Sequence, residues 1–115
     1  MESIIRDKSL SFAKRIVKLY KYLCGKRYET VLSKQILRSG TSIGANVSEA
    51  LYGSSKRDFV AKMYIALKES AETMYWLELL KSGEYISHKE YCSLYKDCEE
   101  LKKMLSSITK TSRNS

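Results

Sequence analysis

The sequence predicts an all-α fold, an antiparallel up-down four-helix bundle. The 115 residues include no proline, so nothing in the chain interrupts the backbone hydrogen bonds of long helices. Four segments place apolar residues three and four positions apart, the period that a helix turns into one face. The predicted loops between these segments are short, which favours antiparallel neighbours.

The first predicted helix covers about residues 3–24 and has one apolar face. Gly25 follows it, and glycine readily adopts the left-handed conformation that ends many helices. The apolar face consists of Phe12, Ile16, Tyr20 and Leu23, with Ala13, Val17 and Cys24 beside it.

The second predicted helix runs from about residue 29 to residue 52, ends at Gly53 and carries two stripes. The apolar stripe consists of Leu32, Ile36, Ile43, Val47 and Ala50. The polar stripe beside it, at spacings of four and three, consists of Gln35, Ser39, Ser42, Asn46 and Glu49. Short polar side chains suit close packing against other protein, so the polar stripe predicts a structural or oligomer-forming role.

Four residues of this helix carry separate expectations. Asn46 and Glu49 are expected to be largely removed from water, within the bundle or across a subunit contact. For Glu49, a structural ion pair or hydrogen bond is favoured over a catalytic role, because a buried carboxylate needs a partner. Gly40 and Gly44 each cost about 1 kcal/mol against alanine. Close contact with a neighbouring helix is the favoured reason; approach of a ligand or second subunit is the alternative.

The third predicted helix begins with a capping box. Ser55 is its N-cap, Asp58 lies three residues on, and the apolar run starts at Phe59. Gly83 closes the helix. Its apolar face consists of Phe59, Met63, Leu67, Ser70, Met74 and Leu77.

The fourth predicted helix opens with a second capping box, from Ser87 to Glu90. Residues 109–115 are rich in Ser, Thr, Lys and Arg and are expected to form a frayed polar tail. The chain is therefore predicted to hold one domain, the bundle of residues 1–108, followed by that tail. The apolar face of this helix consists of Tyr91, Leu94, Cys98, Leu101, Leu105 and Ile108.

The composition offers little for catalysis, metal binding or membrane insertion. His88 is the single histidine, no Glu-x-x-His sequence occurs, and the three cysteines form no CxxC pair. No metal site, cofactor, catalytic residue or small-molecule substrate is expected, and the thiols are expected to be reduced and buried. No apolar stretch is long enough to span a membrane and no secretory signal is visible, so a cytoplasmic location is expected.

Positive charge is concentrated in the first third of the chain. The net charge is +8, and residues 1–40 carry ten Lys or Arg against three acids. Such asymmetry suggests a polyanion partner, RNA or DNA, with Tyr20, Tyr22 and Tyr28 able to stack on bases. The alternative is a solvated face with the tyrosines in the core. The candidate nucleic-acid-binding residues are Lys14, Arg15, Lys18, Lys21, Lys26, Arg27, Lys34 and Arg38.

The second helix also resembles a known family. Residues 35–39, Gln-Ile-Leu-Arg-Ser, and 41–50, Thr-Ser-Ile-Gly-Ala-Asn-Val-Ser-Glu-Ala, are similar to the motif of the 23S rRNA intervening sequence proteins, also called the S23 ribosomal protein family. The resemblance covers about residues 8–108. Ala50 stands where that family usually has glycine, and Gly44 replaces a common proline.

The resemblance implies a bacterial, cytoplasmic helical bundle that forms homopentameric rings and has no established enzymatic activity. The resulting hypothesis is a non-enzymatic, oligomer-forming protein that binds nucleic acid through its basic surface. The alternative is a structural or protein-interaction module with no nucleic-acid role.

Overall fold

The computed structural model describes residues 3–53 and 55–114 and contains four helices. Within these ranges no strand occurs, which confirms the predicted all-α class. The helices are α1 (Ile4–Lys26), α2 (Leu32–Leu51), α3 (Lys56–Ser82) and α4 (His88–Asn114).

The helices form an up-down bundle in which neighbours in sequence pack side by side. Helix α1 packs on α2, α2 on α3 and α3 on α4, whereas α1 and α4 contact each other least. The α1–α4 seam is bridged by two ion pairs, Arg15–Asp97 at 2.6 Å and Lys8–Glu100 at 2.7 Å. This seam is therefore held by long polar side chains more than by apolar packing.

The core follows the heptad spacing, and the faces predicted for α2 and α4 are confirmed. Helix α1 departs from its predicted face. Leu19 is buried there, whereas Tyr20 is half-buried and Val17 is exposed. After Ile16 the next buried position is three residues on, at Leu19, and not four residues on, at Tyr20. The buried positions of α1 are Ile5, Ser9, Phe12, Ile16, Leu19 and Leu23.

The two glycines of α2 lie where α1 approaches most closely. A Cβ atom on Gly40 would lie 2.8 and 2.9 Å from the γ carbons of Ile16. A Cβ atom on Gly44 would lie 3.3 Å from the backbone oxygen of Ser9. The expectation of close contact with a neighbouring helix is confirmed at both positions.

The end of α1 differs from the prediction. Gly25 does not take a left-handed conformation, since α1 continues through it to Lys26. Tyr28 takes the left-handed turn instead, with φ of 55°. The backbone N–H of Glu29 then donates to the oxygen of Leu23 at 2.9 Å. This hydrogen bond satisfies one end carbonyl of α1 and places the turn after Gly25.

The sequence predicts that α2 begins at about Glu29, but the helix begins at Leu32. Glu29 lies before the helix and caps it. Its buried carboxylate accepts hydrogen bonds from the backbone N–H groups of Val31 at 3.1 Å, Leu32 at 3.0 Å and Ser33 at 2.7 Å. Burial raises the pKa of Glu29, but these backbone hydrogen bonds outweigh burial and hold its pKa below the usual value. One carboxylate thus replaces the water that would solvate the start of α2.

The predicted caps of the last two helices are confirmed. Ser55 Oγ accepts from the backbone N–H of Asp58, and Ser87 Oγ accepts from that of Glu90, both at 3.1 Å. Gly83 is the C-cap of α3.

The predicted fraying after residue 108 is wrong for the residues that the structure describes, because α4 continues to Asn114. Thr109 is buried four positions after Leu105, in line with the inward face. Its hydroxyl donates to the backbone oxygens of Leu105 and Ser106 at 3.0 Å. The buried hydroxyl group is thereby hydrogen-bonded within its own helix, and the side chain extends the core by one turn.

We expect alanine at the two glycines to have different effects. Gly40→Ala should destabilise the fold by about 1–3 kcal/mol, because its methyl group would overlap the buried Ile16. Gly44→Ala should change stability by less than about 1 kcal/mol, since the tighter contact with Ser9 is offset by better helix propensity. Urea unfolding measures both, and equal effects would contradict the contact geometry.

We also expect the Glu29 cap to make stability depend on pH. A carboxylate with a lowered folded-state pKa stabilises the fold above its unfolded pKa, and this contribution is lost as pH falls through the folded value. The difference in free energy of unfolding between wild type and Glu29→Gln should therefore shrink from about pH 7 to about pH 3. Glu84→Gln, at an exposed position, is the control and should show no comparable change.

Candidate nucleic-acid interface

The outward face of α1 carries a row of lysines. Lys14, Lys18 and Lys21 recur at spacings of four and three, on the side opposite the buried positions. All three are exposed, and within residues 3–53 and 55–114 none makes a hydrogen bond or ion pair. Residues 8–28 hold seven Lys or Arg and no acid. This row, here called the lysine face, therefore keeps its positive charge.

Lys26 and Lys34 extend the positive charge to the α1–α2 turn. Both are exposed and, among the described residues, have no hydrogen bond or ion pair. Lys26 lies in the last turn of α1, where a cation also interacts favourably with the helix dipole.

The three arginines that were candidates for nucleic-acid binding contact other parts of the bundle. Arg15 pairs with Asp97 of α4 and donates to Ser93 Oγ at 3.0 Å. Arg27 donates to the backbone oxygens of Glu84 and Tyr85, both at 3.0 Å. A planar guanidinium with five donors can hold two such partners at once, which a lysine cannot do with fixed geometry.

Arg38 belongs to a charged cluster between α2 and α3. Its guanidinium is 3.2 Å from Glu69 Oε2 and also pairs with Glu72. The indole N–H of Trp76 donates to the same Glu72 oxygen at 2.9 Å. Two carboxylates thus surround one cation, so the predicted basic strip does not continue through Arg38.

Two of the three tyrosines considered for base stacking are accessible. Tyr28 is 85% exposed and Tyr22 is 43% exposed, whereas Tyr20 is half-buried. The alternative that places these rings in the core is therefore wrong for Tyr22 and Tyr28.

The polar stripe of α2 does not form one buried network. Ser39 is buried and accepts a hydrogen bond from the Thr73 hydroxyl at 2.9 Å. Ser42 and Asn46 are half-buried and bond to backbone oxygens of their own helix, at 2.6 and 2.8 Å. Gln35 is exposed. Among the polar-stripe residues that the structure describes, Ser39 alone therefore has a side-chain hydrogen bond to α3.

Glu49 lies in water in the single chain. Its side chain is 61% exposed, and its carboxylate is 3.6 Å from Lys62 Nζ of α3. The expectation of burial within the bundle is wrong for Glu49, because the residue lies near the outward side of α2. The interpretation favoured for Glu49, an ion pair with a neighbouring helix, matches the structure.

The cysteines and the histidine occupy three different environments. Cys98 is buried, donates to the Ser70 oxygen at 3.3 Å, and burial raises its pKa to about 12. Cys24 is half-buried. Cys92 is exposed, contrary to the expectation of buried thiols, and its sulfur lies 3.4 Å from Nε2 of the exposed His88.

The described part of the chain holds neither a metal cluster nor a spanning helix. Among residues 3–53 and 55–114, no three His, Cys, Asp or Glu side chains are grouped to hold a metal ion. None of the helices in those residues is long and apolar enough to cross a membrane.

Sequence reasoning missed a groove at the α1–α4 seam. Lys18 and Tyr22, one helical turn apart, line a cavity of about 500 Å³ opposite the start of α4. Their spacing of four could have indicated a shared face. The cavity itself depends on the distance between α1 and α4, which periodicity does not give.

Fold and surface together define a class of small antiparallel four-helix bundle with a lysine-rich outer face. Residues 1–107 match the family described as 23S rRNA-intervening sequence protein, and the chain belongs to that family. No curated protein matches the chain.

A solved structure supports the same assignment. The chain is 56% identical to a protein of unknown function of the S23 ribosomal protein family from Bacteroides thetaiotaomicron VPI-5482. The TM-score is 0.92, and the match covers 93% of this chain and 96% of that chain. The family is one of unknown function and is not a known enzyme family.

Proposed function

We propose that this protein is a non-enzymatic, oligomer-forming bundle that acts in the cytoplasm and binds the phosphate backbone of RNA. The observation that carries the proposal is the lysine face. Lys14, Lys18 and Lys21 point away from the core and have no partner among the described residues. Arg15 and Arg38 of the same region pair with carboxylates of the bundle, whereas these lysines remain for a partner.

The chemistry of the lysine face suits backbone contacts better than base reading. An ammonium group is a compact point charge that approaches a phosphate from many directions. Contacts of this kind position a protein on a nucleic acid without reading its sequence. We therefore expect affinity that depends strongly on salt and little on sequence.

Self-association would multiply these contacts. The outward side of α2 carries short side chains, among them the exposed Ala45 and the half-buried Ser42 and Asn46. Short side chains allow another chain to approach closely. The resemblance to ring-forming relatives favours five copies, and repeated lysine faces in one assembly raise the effective concentration of binding sites.

A protein-interaction role is the second candidate, supported by the outward face of α3. Tyr64, Ile65 and Tyr75 are each at least 42% exposed there. Exposed apolar side chains grouped on one face are a common feature of protein contact surfaces. This surface is separate from the lysine face, so the two roles are testable independently.

We expect light scattering after size-exclusion chromatography to give the mass of a closed oligomer, with five chains as the expected number. Ala45→Arg should shift it to the monomer, because the long cation would prevent close approach at α2. Ser107→Arg, exposed on α4, is the matched control and should leave the oligomer intact. A wild-type monomer at micromolar concentration would contradict self-association.

We expect the oligomer to bind RNA at low salt through the lysine face. Replacing Lys14, Lys18 and Lys21 together with glutamate should abolish the gel shift and preserve the helical circular dichroism spectrum. The control replaces Lys89, Lys96 and Lys103, which are exposed on α4, and makes the same change in charge. That control should still bind.

Three results would count against the RNA proposal. They are the absence of a wild-type gel shift at low salt, binding by the lysine-face variant as strong as that of wild type, and equal loss of binding in both triple variants. The last result would mean that net charge alone governs retention.

A further inference from the structure

A groove crosses the α1–α4 seam near the end of α1. It consists of two cavities of about 500 and 530 Å³. Both cavities are lined by Tyr22, Ile86 and Ser87, so they adjoin along these residues. Each cavity is of a size that accommodates one small-molecule-sized unit.

The groove combines an apolar floor with an accessible aromatic ring. Leu19 and Ile86 are 4% and 7% exposed and lie at its base. Tyr22 is 43% exposed and stands between the two cavities. No other aromatic ring or cation of the described residues stacks on Tyr22. The exposed part of its ring is therefore accessible to a flat partner.

Cations line both sides of Tyr22. Lys18 lies in the first cavity with no partner among the described residues, and Arg27 and Lys81 lie in the second. Arg27 donates to backbone carbonyls and Lys81 lies 4.5 Å from the Tyr91 ring centroid, so neither contact neutralises the positive charge. The cations outnumber the two lining carboxylates, Glu84 and Glu90.

We propose that this groove binds an unpaired stretch of nucleic acid, with one base stacked on Tyr22 and the flanking phosphates on Lys18 and Arg27. The inference rests on the proposed function and adds a base-binding site to it. A flat, apolar surface beside cations is the chemistry that single strands need, since each nucleotide presents a ring and a negative charge. An acidic peptide would match the charge but would leave the ring without a stacking partner.

The groove also selects against a duplex. In a duplex the base faces are stacked on one another, so Tyr22 gains nothing from a paired strand. The lysine face still contacts duplex phosphates. Single-strand preference is therefore the property that distinguishes the groove from the rest of the basic surface.

The test is fluorescence anisotropy with labelled oligouridylate and oligothymidylate of about ten nucleotides, a usual site size. A duplex of equal length is measured in parallel. Tyr22→Ala should weaken single-strand binding at least about fivefold, since base stacking is lost, and leave duplex binding unchanged. Tyr22→Phe keeps the ring and should bind within about twofold of wild type. Tyr52→Ala, at a 90% exposed ring elsewhere, should bind as wild type.

Salt dependence separates the two kinds of contact. Tyr22→Ala should keep the wild-type slope of affinity against salt, because its phosphate contacts remain, whereas Lys18→Gln should lower the slope. Loss of single-strand affinity in Tyr22→Ala with either oligonucleotide supports the proposal.

The outcomes distinguish this inference from the proposed function. If Tyr22→Ala binds single strands like wild type and the lysine-face variant binds nothing, the groove inference is overturned and the proposed function stands. If wild type binds no nucleic acid at low salt, both are overturned. If polyglutamate of equal charge displaces the oligonucleotide equally well, the groove attracts any polyanion and the inference is overturned.

Discussion

The bundle depends on the close contact of α1 with α2 at Gly40. The absence of a side chain there lets Ile16 lie directly against the α2 backbone, and Gly44 gives the Ser9 backbone similar room. Close-packed interiors have little spare volume, so a contact this tight fixes where α1 runs along its whole length. Helix α1 then lies against α2 and contacts α4 less. The seam between α1 and α4 is left to long polar side chains, such as the Arg15–Asp97 pair, and opens into the groove beside Tyr22.

The same constraint separates arginines from lysines. Positions of α1 that flank the core face a neighbouring helix, and a forked guanidinium at Arg15 can hold two groups of α4 there. Positions opposite the core face only water, and these hold Lys14, Lys18 and Lys21. An ion pair at the partly exposed seam contributes little to stability on its own. Its larger effect is to remove Arg15 from the charge that a partner meets, so that the lysines dominate the outer surface.

Features that depend on nearby positions of one helix are predicted correctly from the sequence. Predictions fail where contacts with a distant part of the chain determine the structure. The heptads of α2 and α4 and the caps at Ser55 and Ser87 involve spacings of three and four, which one helix determines alone. The end of α1 depends on a hydrogen bond from Glu29 back to Leu23, and periodicity does not show it. The ion pairs of Arg38 join α2 to residues 31 and 34 positions away. From charge alone, Arg38 is predicted to lie on a nucleic-acid-binding surface. The carboxylates that neutralise it are distant in sequence and become its neighbours only after folding.

The position of Lys18 gives the proposed interface its geometry. It belongs to the lysine face and also lines the groove, one turn before Tyr22. A strand whose phosphates follow Lys14 and Lys18 along α1 would therefore reach the exposed ring without a change of direction. A few unpaired lysines on one chain release few counterions, so a single copy would bind weakly at physiological salt. The proposed self-association would compensate for this, because each groove would be held close to a strand already bound by a neighbouring copy. In the proposed arrangement the lysine faces would supply most of the affinity, and the aromatic grooves would supply the preference for unpaired bases.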